Sequence, residues 1–258
     1  MSPLFDPALL SRIEDAGLNA SAPPQQRLVD GWLVRFSPGK AKRARCVNAV
    51  AAGRLPVPQK LTRCREVFAE AGLPMLVRIT AFSEPAGLDA TLEAMGLQRV
   101  DDTRVMVLAD LAALPAAAPP PDVTLERVGH EAFARLVGSM RGSTLAQQQA
   151  HAQRLLHAPV SFEPQVLKRD GALLVCGQMA IEGDLVGLYD VFTAPAERGQ
   201  GWAHALCLHL LQHARARGAR TAYLQVEGHN APARALYHRL GFRDGYAYHY
   251  RCDDPAAA

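Results

Sequence analysis

The stretch Arg198-Gly-Gln-Gly-Trp-Ala203 decides the fold of this chain. It follows an apolar run at residues 185–192, which predicts a strand, and it leads into an amphipathic run from Trp202, which predicts a helix. A glycine-rich turn between a strand and a helix leaves several backbone N–H groups unpaired, and the positive end of the helix dipole lies beside them. Glycine also lets a ligand approach the backbone and adopts positive φ at little cost. The turn therefore predicts a site for a phosphate or pyrophosphate.

The spacing of this turn excludes two common phosphate loops. A Walker loop ends in Gly-Lys-Ser or Gly-Lys-Thr, which is absent here, and a dinucleotide fingerprint would need a glycine where His204 stands. The pattern R-x-x-G-x-A at Arg198, Gly201 and Ala203 resembles the acetyl-CoA pyrophosphate loop of the GNAT acyltransferase superfamily. For the loop taken alone, a glycine-rich turn that only caps a helix is the alternative interpretation.

Three further features follow the loop in the order that the GNAT resemblance implies. A helix pattern ends at Gly218, residues 221–226 are typical of a strand, and a second helix begins at Asn230 and contains Tyr237. An aromatic strand then closes the pattern. The resemblance covers roughly residues 123–252, and it implies an α/β (α+β) fold in which a twisted mixed β-sheet is flanked by helices.

The two halves of the chain share a glycine spacing. Gly218 and Gly241 stand 23 residues apart, and Gly72 and Gly96 stand 24 apart, with a similar order of strand and helix patterns between them. This agreement predicts two tandem copies of one fold, although the same order of elements also arises by coincidence. We expect a first copy, a linker rich in Ala and Pro, a second copy and a tail, at residues 1–110, 111–122, 123–252 and 253–258.

Only the second copy carries the polar residues of the pattern. Aligning the glycines of the two copies places Gly199 on Gly53 and Trp202 on Pro56, and Pro58 follows. Proline has no N–H group to donate to a phosphate. We therefore expect the first copy to be degenerate, to lack a CoA site, and to shape the acceptor pocket or an interface instead.

Composition limits the classes of function. The chain has 258 residues, of which 49% are hydrophobic and 21% charged, as in a folded globular protein. A net charge of +3 is too small to indicate a nucleic-acid surface, and the basic run at residues 40–45 is interpreted as a solvated strand end. Neither a membrane span nor a signal peptide is predicted, and five cysteines without metal-type spacing indicate reduced thiols in a cytoplasmic protein with no metal. A homodimer is left open.

The resemblance implies acetyl-CoA as the co-substrate and assigns its contacts. Residues 198–203 would bind the pyrophosphate, the strand edge at 191–193 would pair with the pantetheine arm, and a backbone N–H near Val191 or Phe192 would stabilise the oxyanion. Asn230 would reach the arm from the end of the neighbouring strand. The expected contacts are Val191, Phe192, Thr193, Arg198, Gly199, Gln200, Gly201, Trp202, Ala203, Asn230 and Tyr237.

Tyr237 stands at the position that the resemblance assigns to the general acid. A phenol, whose pKa is near about 10, can stabilise or protonate the leaving thiolate while it stays protonated at neutral pH. The alternative is a core tyrosine that packs with Leu236 and Leu240. Asp190 and Glu227, on the two strands beside the cleft, are the candidates for the general base; a strand-end hydrogen-bonding residue and a solvated turn residue are the alternatives.

The acceptor is predicted to be a primary amine that attacks directly in a ternary complex. Ribosomal-protein alanine acetyltransferases have a glutamate where this chain has Gln225, which disfavours N-terminal acetylation of a peptide. The tandem architecture with one CoA site is similar to that of mycothiol synthases and favours a small molecule. A helix at 144–157, rich in Gln and His, indicates a polar, not highly acidic, acceptor, and we expect the first copy to wall the acceptor groove.

Two other classes of function stay open. One is a non-catalytic acyl-CoA sensor or interaction protein, which would keep Gly199 and Gly201 but would not need Tyr237. The other is a protein lysine or N-terminal acetyltransferase, which would need an open acceptor groove.

Overall fold

Residues 4–116 and 122–256 are described by a computed structural model of the chain. Three prolines of the predicted linker, at 119–121, and the last two residues of the predicted tail lie outside the described residues. Leu111, the first residue of that linker, is fully buried, and its N–H donates to the carbonyl of Arg220 at 2.9 Å.

The described ranges contain seven α-helices and eleven β-strands. The helices are α1 (Pro7–Ala20), α2 (Val57–Glu70), α3 (Leu88–Ala94), α4 (His130–Met140), α5 (Leu145–His157), α6 (Trp202–Ala216) and α7 (Ala231–Arg239). The strands are β1 (Gln26–Val29), β2 (Trp32–Arg35), β3 (Val47–Asn48), β4 (Leu76–Ile79), β5 (Gln98–Leu108), β6 (Thr124–Arg127), β7 (Phe162–Arg169), β8 (Ala172–Glu182), β9 (Leu185–Thr193), β10 (Thr221–Glu227) and β11 (Arg243–Cys252). Short 3₁₀ turns lie at Lys42–Ala44, Leu111–Ala113 and Pro195–Glu197.

All of these strands hydrogen-bond into one mixed sheet, in the order β1-β2-β3-β4-β11-β5-β10-β9-β8-β7-β6. Two neighbouring pairs, β3 with β4 and β9 with β10, are parallel, and the other pairs are antiparallel. A helix joins each parallel pair, because the chain must return to the same end of the sheet before the second strand begins. The predicted fold, a mixed sheet flanked by helices in two tandem copies, is confirmed.

The order of elements repeats, but the last strands are exchanged. β1–β2–β3–α2–β4–α3–β5 in the first copy corresponds to β7–β8–β9–α6–β10–α7–β11 in the second. β5 of the first copy pairs with β10, whereas β11 of the second copy pairs with β4. β5 and β11 also pair with each other. Backbone hydrogen bonds thus join the two copies into one sheet.

Helices cover both faces of the second copy's part of the sheet. On one face, α6 packs against the sheet through its predicted apolar stripe. Leu206 and Leu210 of that stripe are fully buried. Burial of each such leucine contributes roughly 1.5–3 kcal/mol. Successive side chains of a strand point to opposite faces of the sheet. Leu224 of β10 packs in the cluster of α6, and its neighbour Tyr223 packs in the cluster of α1, α4 and α5, so these three helices lie on the opposite face. No described helix is both long and apolar enough to cross a membrane.

Candidate active site

The turn before α6 has the open backbone that the sequence predicts. Gly199 and Gly201 adopt φ values of 81° and 86°, and Gly201 is the N-cap of α6. A Cβ built on either glycine would meet no atom within 4 Å. The N–H of Ala205 donates to the carbonyl of Gly201 at 3.1 Å, so the N–H groups of the preceding residues have no carbonyl one helical turn earlier. These groups are available to an anion.

Side chains hold this turn in place and add positive charge. Glu197 accepts hydrogen bonds from Gln200 Nε2 at 3.0 Å and from Trp202 Nε1 at 3.3 Å. The Trp202 ring is buried, so its backbone N–H is the part of this residue that can reach a ligand. Arg198 is exposed, and its guanidinium lies 5.6 Å from the centre of the Phe192 ring on β9. The positive charge of Arg198 therefore lies between the turn and β9.

A wedge opens between β9 and β10. Their parallel pairing runs from Leu185 opposite Thr221 to Leu188 opposite Leu224 and then stops. Both strands continue, β9 as far as Thr193. The segment 189–193 therefore has a backbone edge that does not pair with β10, and this is the edge predicted to bind the pantetheine arm. Val191, Phe192 and Thr193 on this edge are half-buried.

A β-bulge lies at the apex of the wedge. The register between β8 and β9 shifts between the pairs Cys176–Phe192 and Gln178–Tyr189, so Asp190 and Val191 form the bulge. Asp190 adopts a φ of 50°, a left-handed conformation that costs a non-glycine residue about 1–2 kcal/mol. A bulge redirects the side chain and backbone N–H of the residues it contains.

Polar partners from three elements hold the Asp190 carboxylate. It accepts hydrogen bonds from Arg141 Nη1 and Gln178 Nε2, each at 2.7 Å, and its Oδ2 lies 3.3 Å from His151 Nε2. Burial alone would raise the pKa of Asp190, but the contact with His151 and the charge of Arg141 hold it well below the usual range. Asp190 is thus a carboxylate at neutral pH with little affinity for a proton, which argues against its predicted role as the general base.

Glu227, the other predicted base, lies at the exposed end of β10. Its side chain is 65% exposed, and its Oε2 lies 3.4 Å from His229 Nε2. Gln225, two residues earlier on β10, accepts hydrogen bonds from Arg43 Nη1 at 2.6 Å and from Tyr248 at 2.9 Å. Among the hydrogen bonds and ion pairs of the described residues, none joins Glu227 to Asp190.

Tyr237 and Asn230 lie on and before α7, beside the wedge. Asn230 is the predicted N-cap, and its Oδ1 accepts the N–H of Ala233 at 3.2 Å, which leaves its amide NH₂ for a ligand. Tyr237 is buried against Phe242, with 6.0 Å between the ring centres. Burial and the neighbouring Cys207 raise the pKa of Tyr237 above its usual range. The phenol therefore stays protonated at neutral pH.

The thiols of the chain are all buried. Burial raises the pKa of Cys207 and of Cys176 to about 12, with a further contribution from Asp190 at Cys176. A protonated, buried thiol is a poor nucleophile. In the part of the chain that the structure describes, no cluster of three His, Cys, Asp or Glu side chains could hold a metal ion.

A pocket adjoins Asp190. α4 and α5 form one side, and residues 37–44 of the first copy form the other, as the predicted wall requires. The lining residues are Ser37, Gly39, Lys40, Ala41, Ala44, Val137, Gly138, Arg141, Ser143, Gln147, Gln148, Ala150, His151, Arg154 and Asp190. The basic run at 40–45 was interpreted as a solvated strand end, but Lys40 lines this pocket and Arg43 bonds to Gln225.

The sequence placed His151 on the helix expected to select the acceptor and Arg141 in the loop before it, but it gave neither a catalytic role and did not single out Arg154. His151 and Arg154 are three residues apart and therefore share one face of α5, which is a signal that the sequence contains. What the sequence does not contain is the contact between that face and the bulge on β9.

Curated relatives match only segments of the chain. A mycothiol acetyltransferase of Beutenbergia cavernae is 38% identical over 87 residues, which cover 31% of this chain and 29% of the relative. The [ribosomal protein bS18]-alanine N-acetyltransferase of Escherichia coli is 32% identical over 78 residues, which cover 30% of this chain and 53% of the relative. The chain therefore spans less than a third of the mycothiol acetyltransferase and about half of the alanine acetyltransferase.

Solved structures match nearly the whole chain. A GCN5-related N-acetyltransferase from Kribbella flavida aligns over 95% of each chain with a TM-score of 0.67 and 18% identity. A tandem GNAT protein from the clavulanic acid biosynthesis pathway aligns over 92% of this chain and 88% of its own, with a TM-score of 0.59 and 16% identity. At these identities the likeness shows the fold alone.

A family model covers most of the chain. The family described as "Probable histone acetyltransferase Rv0428c C-terminal" matches residues 9–251, and the predicted class, a GNAT-type acyltransferase, is confirmed at this level. The match includes both copies and therefore the exchanged strands that join them. The chain belongs to this family of the GNAT superfamily.

Proposed function

We propose that the chain transfers an acetyl group from acetyl-CoA to a primary amine of a small molecule. One observation carries the proposal: an open, cationic turn, the wedge between β9 and β10, and a walled pocket follow one another around Asp190. The turn fits a pyrophosphate, the wedge fits an extended amide-bearing arm, and the pocket fits an acceptor.

The backbone supplies the cofactor contacts. No protein atom lies within 4 Å of a Cβ built on Gly199 or Gly201, so the backbone N–H groups of this turn are accessible to a bound diphosphate. Arg198 adds charge to this turn. The free edge at 191–193 and the amide NH₂ of Asn230 would hold the pantetheine arm. A backbone N–H of the bulge, at Val191 or Phe192, would stabilise the oxyanion of the tetrahedral intermediate.

Tyr237 would stabilise the leaving thiolate. Its raised pKa makes full proton transfer to sulfur less favourable than a hydrogen bond, because the phenol holds its proton more tightly than an ordinary tyrosine does. We therefore assign Tyr237 the donation of a hydrogen bond to the thiolate in the transition state.

His151 replaces Asp190 and Glu227 as our candidate for the general base. Its Nε2 is buried 3.3 Å from Asp190 Oδ2 without a hydrogen bond in the described structure, and we assign Nδ1 the acceptance of a proton from an amine in the pocket. A carboxylate that orients an imidazole and stabilises its protonated form is an established catalytic arrangement. Asp190 is then a positioning residue.

The step is a direct acyl transfer. The amine nitrogen attacks the thioester carbon, the C–S bond breaks, the amine proton passes to His151 Nδ1, and the thiolate leaves towards the Tyr237 hydroxyl. No acyl-enzyme is needed, and the buried thiols with raised pKa values support this route. Residues 37–44 cover the pocket, which favours a small acceptor over a lysine side chain of a protein.

The test combines acetyl-CoA binding, measured by calorimetry, with an amine panel in which release of free CoA thiol is recorded. We expect micromolar binding and turnover with at least one small amine. Turnover with histone peptides alone would overturn the small-molecule assignment. Tight binding with no turnover on any amine would favour the sensor.

A further inference from the structure

One buried arginine, Arg35, and two half-buried ones, Arg43 and Arg154, lie where the two copies meet, without a carboxylate partner among the described residues. Arg35 Nε donates to Gln26 Oε1 at 3.2 Å, Arg43 Nη1 donates to Gln225, and Arg154 Nη1 donates to the carbonyl of Ala20 at 3.1 Å. All of these acceptors are neutral. Among the described residues, no carboxylate oxygen lies within 4 Å of any of the three guanidinium groups.

Two carboxylates near these guanidinium groups are already paired with other arginines, and a third, Glu182, bonds to Asn19. Glu14 forms a buried ion pair with Arg78, and Asp190 bonds to Arg141. Arg35 is only 2% exposed, and its Nη1 is buried without a hydrogen-bond partner in the described structure. A buried charge without a counter-charge is costly, so this region holds more positive charge than the protein itself neutralises.

Mutual repulsion accompanies the burial. Burial, together with the charges of Arg78 and Arg154, lowers the pKa of Arg35 to about 10. Burial and the charges of Arg43 and Arg141 also lower the pKa of Arg154, although Asp190 offsets part of this. An anion near Arg154 would relieve this repulsion.

The pocket beside Asp190 opens onto this positive region. Arg154 lines it on α5, Arg141 lines it at the end of α4, and Lys40 lines it from the first copy. Asp190 is the one carboxylate in the lining, and Arg141 is its partner. The pocket can therefore attract an anion at Arg154, whose guanidinium donates only to a neutral carbonyl among the described residues.

We propose that the acceptor is an amine that carries an anionic group of the carboxylate or phosphate type, and that Arg154 binds this group. This proposal rests on the proposed function, because the amine must then lie beside Asp190 and His151. A guanidinium forms two parallel hydrogen bonds with a carboxylate or a phosphate, so it suits either group. The hydrogen-bonding Gln and His side chains on α5 indicated a polar acceptor, and the arginines add the requirement for a negative charge.

The experiment compares matched amines on the parent protein. 4-Aminobutyrate and 3-aminopropylphosphonate carry an anion, 4-aminobutanamide and butylamine do not, and a lysine-rich peptide is cationic. We expect the anionic amines to have a kcat/KM about 10–100-fold above their neutral counterparts, mostly through a lower KM. The ratio of the carboxylate to the phosphonate distinguishes the two anionic sources. Equal or higher kcat/KM for the neutral or cationic amines would overturn the proposal.

Three variants test whether Arg154 is responsible for the preference for anionic amines. In Arg154→Gln the preference for the anionic amine should fall to within about threefold of unity, and Arg154→Lys should keep part of it. Arg135→Gln is the matched control, because Arg135 is exposed on α4 and pairs only with Glu131 at 3.8 Å. This variant should behave as the parent does. A preference that persists in Arg154→Gln would show that another group binds the anion.

Direct binding separates failure of this proposal from failure of the proposed function. Calorimetry with 4-aminobutyrate, in the presence of CoA, should show binding that weakens about 10–100-fold in Arg154→Gln and not in Arg135→Gln. If no amine is acetylated but this binding is present, the proposed function fails and the anion site stands. If 4-aminobutyrate and 3-aminopropylphosphonate bind no better than butylamine, the anion site fails whatever the activity.

Discussion

In the second copy the turn before α6 faces open space, whereas in the first copy the corresponding turn before α2 is filled by the protein's own side chains. The Asp30 carboxylate accepts the N–H of Arg54 at 2.9 Å and of Leu55 at 2.8 Å. Lys60 is fully buried, lies 3.2 Å from the same carboxylate, and also donates to the Ala52 carbonyl. A Cβ on Gly53 would collide with Asp30 and Lys60, but one on Gly199 would meet nothing.

This difference shows that the N–H groups of the same kind of turn can find hydrogen-bond acceptors in two ways. In the first copy an internal carboxylate takes the place that we assign to a diphosphate in the second, and Lys60 neutralises it. Pro56 and Pro58 remove further donors there. The proposal that only the second copy binds acetyl-CoA therefore gains a reason that sequence alone lacked: the first turn already holds an anion.

The largest expected effect is at Gly201. In Gly201→Val a β-branched residue must adopt φ near 86°, at a cost of about 1–2 kcal/mol, and its methyl groups enter the open face of the turn. We expect acetyl-CoA affinity, measured by calorimetry, to fall at least about 100-fold, because two or more charge-assisted hydrogen bonds are lost.

Gly72→Val is the control for backbone strain. Gly72 has a φ of 64° and equally open surroundings, but it follows α2 in the first copy. It should lose a similar amount of stability and no affinity for acetyl-CoA. Equal losses of affinity in both variants would mean that strain, not the turn, explains the result.

The second effect in size is at His151. In His151→Gln we expect kcat to fall about 100-fold with unchanged acetyl-CoA affinity, because a hydrogen-bonding side chain remains beside Asp190 but the proton acceptor is gone. The pH–rate profile of kcat should also change in this variant, because the group that accepts the amine proton has been removed. His157→Gln serves as the control, since this exposed residue on the same helix bonds only to the Gln153 carbonyl. An unchanged pH profile in His151→Gln would reject His151 as the base.

A smaller loss is expected at Tyr237, where the first copy has Leu92. Tyr237→Phe keeps the ring contact with Phe242 but removes the hydroxyl. Steady-state kinetics should show kcat reduced about 10–30-fold, which corresponds to one lost hydrogen bond to a charged group, and acetyl-CoA should bind as before. Parent-like turnover would restore the interpretation of Tyr237 as a core residue.

Local sequence patterns predicted the parts of the molecule whose structure depends on short-range interactions. The turn at 198–203, the stripe on α6 and the N-cap at Asn230 follow from short-range periodicity and backbone chemistry. The glycine spacing predicted the repeat. The exchange of β5 and β11 was not predicted, because strand pairing depends on contacts between residues more than a hundred positions apart, and both strands have the same pattern in either arrangement.

The residues that we propose for the cofactor follow from local sequence patterns, whereas those that we propose for the acceptor follow only in part. Asp190 was named from the sequence, but the partners that lower its pKa, His151 on α5 and Arg141 at the end of α4, could not be predicted from its own strand. The left-handed φ of Asp190 has no signature in the sequence. The run at residues 40–45 was predicted to lie on the surface, because nothing in it reveals that Arg43 contacts Gln225 of the second copy or that Lys40 lines the pocket.

The smallest functional effect is expected at Asp30, where the change affects stability alone. The pKa of Asp30 is lowered by the N–H groups of Leu55 and Arg54 and by Lys60. A carboxylate with a lowered folded pKa stabilises the protein above its unfolded pKa of about 3.9, and this contribution disappears as the pH falls through the folded value. Asp30→Asn should therefore have a lower Tm than the parent at neutral pH, and the difference should shrink below about pH 4 in thermal melts.

Acetyl-CoA affinity and kcat should match those of the parent, since the first turn holds no substrate. A loss of acetyl-CoA affinity in this variant, with parent-like Tm, would mean that the two turns are not divided as we infer and that the first copy also binds the cofactor.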